Sequence, residues 1–170
     1  MGDLALLKKA EVLEADRANF YKHSASKVLD PQGKAVLLSL SVAERRHLRI
    51  LNSQRISLKT SGEADLGIVG KPAYEGLKKS FEKSLRANQS DITLLEKAVK
   101  LERVDVSFYE GLYKQANSKG LRKLFKILEA EEKKHFGLLM QSLKDLKKQG
   151  VAESTASNSR MMFFSLFKRK

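Results

Sequence analysis

Apolar residues return every three or four positions in four separate stretches of this chain, the spacing of amphipathic helices. The first, over about 4–28, presents Leu7, Ala10, Glu14, Ala18, Tyr21, Ala25 and Val28 on one face. The second starts at Pro31 or Lys34, ends near Asn52, and carries Val36, Leu37, Leu40, Glu44, His47 and Leu51. The third opens on Ser90 or Asp91 as N-cap and runs to about Asn117 with Leu95, Ala98, Glu102, Val106, Tyr109, Tyr113 and Ala116 inside. The fourth runs from Leu121 to Leu146 and closes on Lys147-Lys148 and Gly150, a favourable dipole and cap arrangement. Asp30-Pro31-Gln32-Gly33 and Asn117-Ser118-Lys119-Gly120 are turns, so the helices fold back in antiparallel pairs. The stretch 53–90 between the pairs is broken by Gly62, Gly67, Gly70 and Pro72, with a short helix expected over 73–85. It is too long for a hairpin and fits a crossover that sets the third helix parallel to the second. The predicted fold is all-α: an antiparallel four-helix bundle with one long crossover.

None of these faces stays wholly apolar, and two of them carry a Glu/His pair. The steps 128, 132, 135, 139 follow one stripe, so Glu132 and His135 occupy consecutive core positions, and Glu44 and His47 do the same on the second helix. An unpaired buried carboxylate is expensive, and a metal ion is the common compensation for a Glu/His pair. Glu14 to Glu102, Tyr21 to Tyr109, Glu44 to Glu132 and His47 to His135 are each separated by 88 residues. The chain is therefore a tandem duplication of a two-helix unit.

Folding the four segments together gathers Glu14, Glu44, His47, Glu102, Glu132 and His135 at mid-depth, the donor set of a two-metal carboxylate bundle. Four carboxylates and two neutral imidazoles balance two divalent ions. With no soft donor in the set, two iron ions per chain are expected, with manganese as the alternative.

Composition narrows the chemistry further. The chain of 170 residues has no cysteine, which excludes disulfides, iron–sulfur clusters and thiolate metal sites. Lys+Arg number 33 against 20 Asp+Glu, a net charge of +13 that favours anionic partners. No aromatic-interleaved basic patch accompanies the charge, so nucleic acid is not the expected partner. The N-terminus lacks the basic and apolar regions of a secretory signal, and a cytoplasmic location is expected. Residues 1–150 read as the bundle. Residues 151–159 read as a flexible linker, and Phe163, Phe164, Leu166 and Phe167 with the terminal basic residues read as a docking segment for a membrane surface, a shell-type protein or the chain's own dimer.

The sequence resembles the rubrerythrin group of the ferritin-like superfamily over about residues 4–147. The resemblance is carried by Glu14 with Phe20-Tyr21, Glu44-Arg45-Arg46-His47, Glu102 with Phe108-Tyr109, and Ala130-Glu131-Glu132-Lys133-Lys134-His135. It implies a ferritin-like bundle holding a di-iron centre at those Glu and His positions. It further implies an extra carboxylate ligand one turn after the third-helix Glu, which falls on Asp105; the mirror position is Arg17. The implied activity is two-electron reduction of hydrogen peroxide or dioxygen, with a ferroxidase in iron handling, or a metal-stabilised docking module, as alternatives. The cysteine-ligated domain that feeds electrons in rubrerythrins proper has no counterpart here, so an external donor protein or iron(II) is expected to supply them. Tyr21 and Tyr109 are read either as hydrogen-bond partners of a ligand carboxylate or as core aromatics, Arg17 as a counter-charge, Phe20 and Phe108 as packing, and His23 as a surface residue. Exchange of helices across the crossover makes a homodimer the expected assembly.

Overall fold

The second helix begins where its cap dictates. Asp30 accepts a hydrogen bond from Gly33 N at 2.6 Å, and Pro31, with no N–H to leave unpaired, takes the first helical position. The computed structural model describes residues 2–62 and 89–167, with side chains described as far as residue 148. These form α1 (Asp3–Lys27), α2 (Pro31–Thr60), α3 (Gln89–Gln115) and α4 (Lys119–Phe167). α1 packs along α2 and α3 along α4, and the two hairpins meet through α2 against α4 and α1 against α3. Along the α2–α4 seam, Glu44 faces His135 while His47 faces Glu131, so those helices run antiparallel and α2 is parallel to α3. This is the four-helix bundle with a crossover that the pattern predicts.

The duplication extends to the turns. Asp91, buried in the first turn of α3, accepts from Leu29 N at 3.2 Å and Asp30 N at 2.8 Å, tying down the α1–α2 turn. Asp3, 88 residues earlier, accepts from Asn117 N at 2.8 Å and Ser118 N at 3.0 Å, tying down the α3–α4 turn. Asp91, inside the helix that begins at Gln89, thus holds the opposite hairpin.

The core divides into two apolar clusters, one at each end of the bundle. One gathers Leu7, Leu51, Leu124 and Leu128 around Tyr109; the other gathers Leu37, Leu40, Leu95 and Leu139 around Tyr21. Each largely repeats the other 88 positions on. A layer of acidic and imidazole side chains separates them.

Two helix ends and one inner position differ from the pattern. α2 continues past Asn52 to Thr60, because Gln54 keeps the inner face buried and nothing breaks the backbone before Gly62. Gly62 adopts φ 76°, the left-handed conformation that commonly ends a helix and that glycine takes without a Cβ penalty. α4 runs through Phe167. A single Gly150 costs only ~1 kcal/mol in a helix interior and no proline follows it, so the backbone read from composition as a linker continues the helix. Finally, Tyr113 is 38% exposed under Lys126, and Leu112 takes the inner position expected of it. The crossover helix expected over 73–85 lies outside the described residues, as do the side chains of Phe163, Phe164, Leu166 and Phe167. Among the described residues, no helix is long and apolar enough to cross a membrane.

Candidate metal centre

Four helices each bring a carboxylate to one point because the stripe that builds the core also carries it. Glu14, Glu44, Glu102 and Glu132 are at most 1% exposed, and His47 and His135 are fully buried. The histidine rings lie side by side, with centroids 5.5 Å apart and planes 20° apart. Each turns Nδ1 inward. His47 Nδ1 lies 3.1 Å from both Glu44 Oε2 and Glu132 Oε1 and 3.5 Å from Glu14 Oε2. His135 Nδ1 lies 2.9 Å from Glu132 Oε2, 3.2 Å from Glu44 Oε1 and 3.8 Å from Glu102 Oε2.

Two overlapping groups result. Glu14, Glu44, His47 and Glu132 each place one donor atom within 4.8 Å of the others, and so do Glu44, Glu102, Glu132 and His135. Glu44 and Glu132 belong to both. Glu14 Oε2, Glu44 Oε1, Glu102 Oε2 and Glu132 Oε1 are buried without a hydrogen-bond partner. Buried carboxylate oxygens left this way carry a large desolvation cost, and their convergence fits a pair of divalent cations.

The electrostatics of the metal-free cluster agree. Burial, reinforced by Glu44, holds the Glu14 carboxyl well above the ordinary 4.5. Burial and Glu132 do the same to Glu102. Burial works against protonation of His47 and His135, but the carboxylates around them win and raise both well above 6.5. Glu44 is held low despite its burial, chiefly by His135. Without metal, the cluster therefore stores protons that two cations would replace.

The tyrosines cross between repeats. Tyr21 on α1 donates to Glu102 Oε1 on α3, and Tyr109 on α3 donates to Glu14 Oε1 on α1. Each bond fixes one carboxylate oxygen and leaves the other facing the imidazoles. Arg17 and Asp105 span the same α1–α3 seam, and Asp105 lies in neither donor group. Phe20 and Phe108 pack edge-on against the tyrosines, and His23 is exposed.

One residue of the site escapes the duplication. Glu131, 7% exposed, sits 2.8 Å from His47 Nε2 on the side away from the cluster. Its position, three after Leu128 and four before His135, puts it on the same apolar stripe, which is the signal that reveals it.

Residues 93–166 match the Rubrerythrin family model, a span that contains Glu102, Glu131, Glu132 and His135. This part of the chain is similar to the rubrerythrins. The bundle as a whole aligns with the solved structure of a hypothetical protein from Pyrococcus furiosus at a TM-score of 0.63 and 22% identity, over 85% of this chain and 89% of that one. That likeness concerns the fold. No curated protein matches the sequence. Rubrerythrin-type bundles are non-haem iron proteins as a group, and the buried carboxylate–imidazole cluster here is compatible with a di-iron site.

Proposed function

We propose that this protein is a di-iron carboxylate oxidoreductase that reduces hydrogen peroxide, or dioxygen, by two electrons. The observation that carries the reading is the sharing of Glu44 and Glu132 between two four-residue donor groups, which suits two adjacent ions better than one. Glu14 with His47 would hold one ion, Glu102 with His135 the other, and the shared carboxylates would bridge. An iron pair bound there supplies two electrons and Lewis acidity.

The chain's own residues account for the rest. Tyr109 and Tyr21 orient Glu14 and Glu102 through their hydroxyl protons, and burial followed by the carboxylate each one faces keeps those phenols neutral. The two apolar clusters close the centre from both ends of the bundle and keep bulk water from the donors. Reduction of peroxide consumes two electrons and two protons and gives two waters. The protons would come from solvent, and the electrons would be supplied by an external donor protein or iron(II). The C-terminal stretch from 151, with Phe163, Phe164, Leu166 and Phe167, is proposed as an address: deleting 151–170 is expected to leave turnover intact and change location only.

The test is stopped-flow absorbance of the iron-loaded, anaerobically reduced protein mixed separately with peroxide and with oxygen. Oxidation much faster with peroxide is the expected result. Preference for oxygen would move the assignment to a ferroxidase, and an unreactive protein would overturn the redox reading.

A further inference from the structure

Where α1 meets α3, the surface carries a groove of about 410 Å³ lined by Lys8, Lys9, Val12, Leu13, Asp16 and Phe108. Val12 is 63% exposed and Leu13 and Phe108 are partly buried, so the middle of the groove is apolar. Lys8 and Lys9 stand exposed one turn before Val12, and Asp16 is the only acid of the six. Apolar ground rimmed by charge is the pattern of a surface that another molecule covers.

The same groove reaches the donor cluster. Phe108 packs edge-on against Tyr109 with ring centroids 5.6 Å apart, and Tyr109 donates to Glu14 Oε1. The other oxygen of Glu14 lies 3.5 Å from His47 Nδ1. Two touching rings and one hydrogen bond thus lead from solvent to a carboxylate that is itself only 1% exposed. The duplication does not repeat this surface. The ring pair recurs as Phe20 and Tyr21, but 88 residues after Lys8 stands Glu96, ion-paired with Lys147 at 2.7 Å, and 88 after Val12 stands Lys100.

We infer that this groove is the docking surface for a small acidic one-electron carrier protein, whose redox group is brought up against Phe108. The inference names a partner for the redox centre proposed above and rests on that reading. Two lysines against one aspartate, on a chain of net charge +13, attract and steer an anionic protein to the groove. A second copy of this chain would bring the same excess of positive charge, which repels. A small contact suits the transient encounters of electron transfer, which sit at the low end of interface size. Each reduced carrier that docks gives up one electron, taking one iron(III) to iron(II), and leaves oxidised. Two encounters replace the two electrons that peroxide takes, with two protons, to become two waters.

The probe is a plant-type [2Fe–2S] ferredoxin, a strongly reducing carrier. Reduced ferredoxin is mixed anaerobically with the iron-loaded, oxidised chain at several salt concentrations, with reduced lumiflavin as a small neutral reductant that needs no docking surface. The wild type should be reduced rapidly by ferredoxin at low salt and more slowly as salt is added. Lys8→Glu with Lys9→Glu should slow that reaction by roughly tenfold or more and leave reduction by lumiflavin unchanged. Lys144→Glu with Lys148→Glu makes the same change of net charge on α4, diagonally across the bundle, and should slow it far less. Carbodiimide, which joins an amine to a carboxylate it touches, should link oxidised ferredoxin to Lys8 or Lys9, a readout by peptide mass that needs no turnover.

Equal slowing by the two charge reversals, no slowing by either, or cross-links confined to other lysines would each overturn the inference. So would a wild type that lumiflavin reduces and ferredoxin does not, or a dimer that Lys8→Glu with Lys9→Glu dissociates, which would give the groove to a second copy. All of these leave the redox reading standing. A chain that loads no iron, or whose iron neither reductant reduces, would overturn that reading and the inference with it.

Discussion

Arg17 and Asp105 stand 88 residues apart, at the same position of the two repeats, and face each other across the α1–α3 seam. Arg17 Nε donates to Asp105 Oδ2 at 2.5 Å and Nη2 to Oδ1 at 2.7 Å, with the Asp side chain 3% exposed. A duplicated unit would place like beside like here, and like charges in a buried seam repel. The sequence has resolved the conflict by making one member basic and the other acidic.

Arg17→Met is therefore expected to destabilise the protein by about 3–5 kcal/mol at pH 8, because Asp105 is left buried and uncompensated. Burial outweighs Arg17 and lifts Asp105 to about 6 even with the guanidinium in place, and without it the carboxyl holds its proton to higher pH still, so the loss should shrink as pH falls. Pairing Arg17→Met with Asp105→Leu should recover most of the stability. Denaturant unfolding of the three variants at pH 5 and pH 8 checks each step.

Tyr109→Phe and Tyr21→Phe each remove the donor to a buried carboxylate, Glu14 and Glu102 respectively. Each substitution should cost about 1–3 kcal/mol in the metal-free protein. Each should also loosen the carboxylate it held, seen as weaker binding of one ion and not the other in a metal titration.

Metal removal should reverse the pH profile of stability. Glu14 and Glu102 are raised above 4.5 and His47 and His135 above 6.5 in the folded, metal-free chain, so folding takes up protons. Stability from these groups is present below their ordinary values and is lost as pH rises toward the raised ones. The metal-free protein should melt progressively lower from about pH 5 to pH 8, where carboxylate and imidazole ordinarily shed their protons. Metal binding displaces the same protons and should strengthen over that range, so the loaded protein should show no such decline. Thermal melts of both forms across pH separate the two trends.

Shared and unshared donors should differ in stoichiometry. Glu132→Ala or Glu44→Ala removes a donor common to both groups and should abolish binding of both ions, whereas Glu14→Ala or Glu102→Ala should leave one. Metal analysis after desalting distinguishes these outcomes, and equal loss in all four variants would contradict bridging by Glu44 and Glu132.

Much of this was legible in the sequence, because the carboxylate–imidazole cluster interrupts the apolar stripes that also specify the helices. Glu44 with His47 and Glu132 with His135 betray themselves as polar residues on core positions, and the offset of 88 ties them to Glu14 and Glu102. The crossed Tyr–Glu bonds were less visible, since spacing along one helix cannot tell which neighbouring helix a hydroxyl reaches. Asp91 reads locally as a helix-start residue, and only the packing of the hairpins turns it, like Asp3 in the other repeat, onto the opposite hairpin's turn. Glu131 was obscured by standing beside Glu132, where one acidic residue of an adjacent pair is ordinarily solvated. Helix ends proved the least readable, as α2 stops where Gly62 turns left-handed and α4 runs on through Gly150, and neither follows the points where polar residues accumulate.

The central claim is that the six buried donors hold two ions in one bundle. It is tested most directly by iron content per chain after anaerobic loading with iron(II) and removal of loosely bound metal. About two irons per chain in the wild type, falling to none in Glu132→Ala, is the predicted result. One iron or none in the wild type, with the protein folded and helical, would contradict the account.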